Sequence, residues 1–296
     1  MKKRLLYIAL ALLLAVAQLG LASSPLSHPE AVTSNVGRSY SFSQSRRGTF
    51  VSDDMDVAWV DSRGNVSFVS QGETIVTFTD QKNQKTASIV FTVLEGGTIP
   101  AEVQKGIDIA IMEWEEFLQL GRSIPKSNKY TKWRCGRPCE FGWCGAFVNY
   151  SLDMGGVPMT SREDAQLVPD GRAFAIREAA VPKILEGFKK MDRIGFIPQP
   201  GSEVIYGRRG GYTTIHVGFV TDVKSLGEGK YEVQTIEGNM GPRIRRYHYI
   251  YDALAENYER NMTMLPKEQQ TDPDVFHYPL HLDGAWYVTA FGQTWY

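Results

Sequence analysis

The sequence predicts an α+β protein in two parts, an all-β N-terminal module followed by a domain that mixes helices with strands. Three observations carry this. Short strand-like runs with turn punctuation fill residues 30–95. A Gly96-Gly97-Thr98-Ile99-Pro100 linker then gives way to apolar residues at helical spacing. Beyond a second helical stretch that opens at Cys144, period-two alternation returns over residues 213–220 and 230–239.

The chain starts with Lys2, Lys3 and Arg4, and sequence from Leu5 to Ala17 is unbroken apolar if Tyr7 is counted so. Small residues lead to Gly20-Leu21-Ala22 before Ser23-Ser24, the pattern of an export signal with its cleavage site. The apolar run to Ala22 is 18 residues long and is interrupted by Gln18 and Gly20, so a retained anchor would sit at the lower limit of a span. Residues 1–22 are expected to be a signal peptide, with a secreted or envelope protein lacking a stable membrane span after cleavage.

In the β module, Val57-Ala58-Trp59-Val60 precedes the turn Asp61-Ser62-Arg63-Gly64 and the strand Asn65-Val66-Ser67-Phe68-Val69. The alternating run Thr74-Ile75-Val76-Thr77-Phe78-Thr79, a polar turn over 80–85 and the run 87–93 complete a sandwich-like series. The linker composition predicts few contacts across the boundary that follows. In the next element Val103, Ile107, Ile111, Trp114 and Leu118 recur at spacings of three and four, which predicts one apolar helix face. Polar sequence over 123–132 ends it.

Composition is that of a folded protein, with 43% hydrophobic and 22% charged residues and a formal charge of −1. No helix-borne Lys/Arg stripe is present, which argues against a nucleic-acid partner. The three cysteines, Cys135, Cys139 and Cys144, leave at least one thiol outside any intrachain pair.

Cys144 lies in Phe141-Gly142-Trp143-Cys144-Gly145-Ala146-Phe147-Val148, in the first turn of a helix that Gly155-Gly156 would end. Free N–H groups and the helix dipole at that position favour a thiolate, the form that attacks carbonyls, and can receive an oxyanion. Among five histidines, His216 alone falls in a strong strand pattern, with Gly218 on its face and Ile215, Val217 and Phe219 on the other. On the next strand Glu237 and Asn239 share a face by the same alternation and are expected to look toward the cysteine helix, so either could orient the imidazole.

Two resemblances follow from these residues. The phrase VAWVDSRGNVSFVSQGETIVTFT resembles the bacterial Ig-like group 2 domain, which implies a spacer or adhesion module over residues 30–95. WCGAFV on a helix, HVGFV on a strand and IEGN on the next resemble, in order and spacing, the CHAP domain, the cysteine- and histidine-dependent amidohydrolase/peptidase family. Pro200-Gly201-Ser202-Glu203-Val204-Ile205-Tyr206 is similar to that family's PGD-hydrophobic strand start, with Ser202 where the family usually has Asp. The resemblance covers residues 101–262 and leaves 263–296 as an aromatic-rich C-terminal extension. It implies a papain-like α+β fold with the cysteine helix on an antiparallel sheet. It also implies Cys144 as nucleophile, His216 as base, Glu237 as orienter and Asn239 as a further polar site residue. The expected substrate and partner is peptidoglycan, cleaved at the muramoyl–L-alanine amide or at a peptide bond, with no cofactor and no metal.

Other features are read more plainly. Cys135 and Cys139 most simply form a local disulfide, a three-cysteine metal site and a masking bridge to Cys144 being the alternatives. His277, His281 and Asp283 carry metal-type side chains in a region that reads as extended and aromatic-rich, and Phe276, Tyr278, Trp286, Tyr287, Phe291, Trp295 and Tyr296 read as strand packing, a sugar-stacking role being the alternative. Arg208, Arg209, Arg243, Arg245 and Arg246 read as solvated loop residues, contact with acidic groups of the wall polymer being the alternative. The rival functions are a surface adhesion protein with a catalytically silent domain, and a papain-like peptidase acting on protein.

Overall fold

The computed structural model describes residues 31–42, 48–169, 171–210, 214–277 and 286–296. The expected signal peptide, Tyr278, His281 and Asp283 lie outside the described residues.

The N-terminal module is a two-sheet β structure. One sheet has the order β1 (Ala31–Asn35), β7 (Thr86–Leu94), β6 (Gly72–Asp80) and β3 (Gly48–Ser52). The other runs β2 (Ser39–Ser41), β5 (Asn65–Phe68), β4 (Ala58–Val60). Alternation in β6 turns Thr74, Val76 and Phe78 inward and leaves Ile75 outside, and Phe42, Val66, Phe68, Phe91 and Val93 fill the core. The β4–β5 turn is built on Asp61. Its carboxylate accepts from the backbone N–H groups of Arg63 at 2.8 Å and Asn65 at 2.9 Å, while Gly64 takes φ of +83°.

The second domain begins with α1 (Ala101–Leu120), whose stripe Val103, Ile107, Ala110 and Trp114 is buried. Ile111 is half-buried and Leu118 exposed, so the face drifts from the expected one in its last turn. Full burial of a side chain such as Ile107 contributes about 1.5–3 kcal/mol. The helix α3 (Cys144–Gly155) packs on α1 through glycine contacts: a Cβ on Gly155 would stand 2.5 Å from the carbonyl of Glu102. Between them lies α2 (Lys129–Cys135), whose Asn128 side chain caps the N–H groups of Tyr130 and Thr131.

After α3 come β8 (Met159–Thr160) and β9 (Ala175–Ile176), a parallel pair, and then α4 (Val181–Lys190). The central sheet is made of β10 (Ile194–Gly195), β11 (Glu203–Arg208), β12 (His216–Gly227), β13 (Lys230–Glu237), β14 (Arg245–Asp252), β15 (Met262–Thr263), β16 (Val275–Phe276) and β17 (Trp286–Gly292). Its order is β10-β17-β11-β12-β13-β14-β15, with β16 parallel to β14. One face, carrying Val217, Phe219 and Ile236, packs against α3 and α4. Val204, Tyr206, Val220 and Tyr249 belong to the other.

Two larger features of the fold also differ from the sequence reading. Within the expected C-terminal extension, β17 is part of the central sheet, inserted between β10 and β11 and paired with β11 from Glu203↔Gly292 to Arg208↔Trp286. Asn261 holds it there, donating to the carbonyl of Val288 at 2.8 Å and accepting from its N–H at 2.9 Å. Nor is the β module loosely tethered. Trp59 is buried in the cluster of Ile197, Tyr231 and Tyr251. Ser39 donates to the carbonyl of Ile194 at 2.8 Å, Arg38 pairs with Asp192 at 3.1 Å, and Arg63 lies over the ring of Tyr258 at 4.7 Å. A glycine-rich linker limits how the chain connects two bodies and leaves open what their surfaces do once apposed.

Candidate active site

Cys144 is the first residue of α3, 6% exposed, and its thiol is free. Phe147 N–H reaches back to the carbonyl of Trp143 at 2.9 Å, so the N–H groups of Cys144, Gly145 and Ala146 have no acceptor within the helix. Gly145 is needed there, since a Cβ would stand 2.5 Å from the carbonyl of Ala179. That close approach lays residues 178–180 along the start of the helix. Glu178 secures the segment, accepting from the N–H of Ala179 at 2.8 Å and from Arg134 on α2 at 3.1 Å.

Cys135 and Cys139 are bridged, with a Cα–Cα distance of 6.6 Å, and the loop they close leads into Trp143 and Cys144. The ring of Trp143 is buried, stacked on Tyr130 with centroids 5.3 Å apart. Gly238, just past β13, makes room for it: a Cβ would meet Trp143 and Phe147 at 2.6 Å.

His216 opens β12 and is 4% exposed. Its Nε2 lies 2.9 Å from Oε2 of Glu237, which leaves Nδ1 to face the Cys144 thiol, with which the imidazole is hydrogen-bonded. Glu237 ends β13 with no solvent exposure. Its other oxygen, Oε1, accepts from Tyr206 Oη at 2.8 Å and Thr235 Oγ1 at 2.7 Å, and Tyr206 in turn contacts Tyr249 Oη at 2.9 Å. Tyr206 stacks on the imidazole at 5.9 Å between centroids and Trp286 leans on it at 5.3 Å. Both oxygens of the carboxylate are thus engaged, and the ring is held between Tyr206 and Trp286.

Electrostatics favour an ion pair. Burial pushes the Cys144 thiol up, but the imidazolium of His216 and the N–H groups of Val217 and Gly145 outweigh it and bring the pKa below its ordinary value. Burial likewise opposes charge on His216, yet the thiolate and the Glu237 carboxylate hold its pKa well above the ordinary imidazole value. A thiolate at a helix N-terminus beside an imidazolium can attack a carbonyl, and the free N–H groups of that turn can receive the resulting oxyanion.

The structure therefore brings Cys144, His216 and Glu237 together, and the carboxylate behind the imidazole is that of Glu237. Strand alternation stops at Glu237, because β13 ends there and Asn239 takes φ of +60°. Its amide lies instead beside Gly142, two residues before the thiol, 3.4 Å from where a Cβ would be. A second correction concerns faces. His216, Gly218 and Glu237 belong to the side of the sheet opposite α3, and His216 reaches the thiol because it stands at the very end of β12. Sequence reasoning passed over Tyr206, Thr235, Tyr249 and Trp286. Only their alternation within strands hinted at a shared face.

Ser202 closes a turn by donating to the carbonyl of Gln199 at 2.7 Å. Arg246 donates to Gln234 at 2.6 Å and lies over Trp114, and Arg245 lies over Phe276, so these two are packed. Among the described residues, no group of three or more His, Cys, Asp and Glu is placed to hold a metal ion. Among them, too, no helix is long and apolar enough to cross a membrane.

Comparison with known families identifies one part of the chain. Residues 29–91 match the family model of the bacterial Ig-like domain (group 2), which agrees with the two-sheet module seen there. No match to the CHAP family was found, and no curated protein matches the chain.

Proposed function

We propose that this chain is an exported cysteine amidohydrolase that cleaves amide bonds of peptidoglycan. The observation that carries the reading is the alignment of a free, buried thiol, an imidazole and a buried carboxylate, with Glu237 2.9 Å behind His216. The sequence resemblance of residues 101–262 to the CHAP family supplies the substrate class, and the leader-like residues 1–22 support export.

In the proposed reaction the Cys144 thiolate attacks the amide carbonyl, and the oxyanion is received by N–H groups of the first turn of α3. The imidazolium of His216 gives its proton from Nδ1 to the leaving amine, which departs and leaves a thioester. The neutral imidazole then takes a proton from water as the water attacks the thioester, releasing the acid and restoring the thiolate–imidazolium pair. Glu237 holds the ring through Nε2 and compensates its positive charge throughout. No step calls for a cofactor.

Mass spectrometry of purified walls digested with the full chain would identify the bond, with casein as the protein control. New amine and carboxyl ends in muropeptides, lost in Cys144→Ser to below about a thousandth of wild type, are expected. Cleavage of casein with intact walls would move the reading to a protein peptidase.

A second reading rests on the Ig-like match, the one family found: a surface-binding protein whose second domain is a silent scaffold. A thiol probe separates the two. Selective labelling of Cys144 at neutral pH supports the enzyme, and an unreactive thiol supports the scaffold.

A further inference from the structure

Beneath the nucleophile lies a second carboxyl group that the proposed reaction does not use. Glu203, the first residue of β11, has no solvent exposure and sits on the side of the sheet that faces α3. Its Oε2 accepts from Asn149 Nδ2 at a long 3.5 Å, and its Oε1 has no hydrogen-bond partner. Asn149 is equally buried. Its Nδ2 also serves the carbonyls of Gly145 at 3.2 Å and Glu178 at 3.3 Å, and its Oδ1 has no partner. The amide thereby ties the first turn of α3, the 178–180 segment and β11 into one knot below Cys144.

An ionised carboxylate is an acceptor only, and here it would be buried with one long contact. A protonated one adds the donor that the unpartnered amide oxygen lacks. We propose that Glu203 is a positioning residue of the site, a carboxyl group kept protonated beneath the turn that carries Cys144, so that the floor under the thiolate stays uncharged.

The surroundings agree. From α3, Cys144 is the titratable group that faces Glu203. β12 and β17 set Phe219 and Gly292 beside it, and Glu178 presents only its carbonyl, its carboxylate being turned to Arg134 and Lys183. Burial, with the negative charge of Cys144 adding to it, raises the Glu203 pKa to about 8 against the opposing hydrogen bond from Asn149.

This inference rests on the thiolate reading of Cys144, and its test needs no wall substrate. The rate of Cys144 alkylation by iodoacetamide is measured against pH in the full chain and in Glu203→Gln. If Glu203 is already neutral, the acid limb, where the thiolate forms, stays in place in the variant. The wild type alone then shows a further inflection near pH 8. A variant limb displaced to lower pH by about one unit or more would overturn the proposal, because it would mean that a negative charge had been removed. Should the variant not fold, infrared spectroscopy of the wild-type chain decides. A protonated-carboxyl band at pH 7 that disappears by about pH 10 is expected, and its absence at pH 7 refutes the inference. Failure to cleave peptidoglycan leaves this result standing, whereas an unreactive Cys144 would strike the site itself.

Discussion

Gly218 and Glu237 are fitted to one another across β12 and β13: a methyl group on Gly218 would stand 2.8 Å from both Cγ and Oε1 of Glu237. The absent side chain is the space the carboxylate occupies while it holds His216, Tyr206 and Thr235. Gly218→Ala should therefore displace the carboxylate and loosen the imidazole, at a cost of about 1–3 kcal/mol to the fold from overpacking. We expect kcat to fall by about a hundredfold or more, as misplacement near reacting groups does, with KM little changed. Steady-state kinetics on a soluble muropeptide would check this. Unchanged kcat in a folded variant would detach Glu237 from catalysis.

The division of labour between Glu237 and Asn239 is testable by pH. A raised His216 pKa means that its contribution to the ion pair is complete below the unfolded value of about 6.5 and is lost as pH rises through the folded pKa. Glu237→Gln removes the negative charge at Nε2, so the folded pKa falls and the alkaline limb of the pH–rate profile moves to lower pH. Turnover should drop by about a hundredfold or more. Asn239→Ala should cost less and leave that limb in place. The reverse ranking would transfer the orienting role to Asn239.

Docking of the Ig-like module predicts cooperative unfolding. Trp59→Ala should destabilise the chain by about 3–5 kcal/mol, as loss of a buried large aromatic does, although Trp59 is remote in sequence from the second domain. Calorimetry should show one transition for the wild type. Two resolved transitions, or a variant effect below about 1 kcal/mol, would show the modules to be independent.

The Cys135–Cys139 bridge should appear as two hydrogens in an intact-mass comparison with and without reductant, with Cys144 alone alkylated beforehand. Reduction should loosen the loop that leads to Trp143 and slow alkylation of Cys144. A bridge found at Cys144 instead would define a masked form.

Much of the site was legible because its signals are local. Cys144 at a helix start follows from the Gly142 before it and from the Gly155-Gly156 stop, and the strand around His216 follows from alternation. Glu237 was equally readable, but Asn239 was paired with it by extending a period of two past the point where the backbone turns left-handed. The rest of the shell escaped because it is assembled across the chain. Tyr206 and Trp286 reach the same imidazole from strands about eighty residues apart in sequence, joined by a β11–β17 pairing that no local pattern encodes.

Residue order alone determined the two-part organisation, the bacterial Ig-like module matched over residues 29–91, the cysteine helix and the histidine strand, because propensity, alternation and turn chemistry act over a few neighbours. Tertiary structure decided what those elements do together: that Glu237 and not Asn239 backs His216, that Trp59 is buried against the second domain, that the C-terminal strand completes the sheet, and that Glu203 lies buried under the thiol. These depend on which faces are buried against one another, and burial is a property of the packed molecule as a whole.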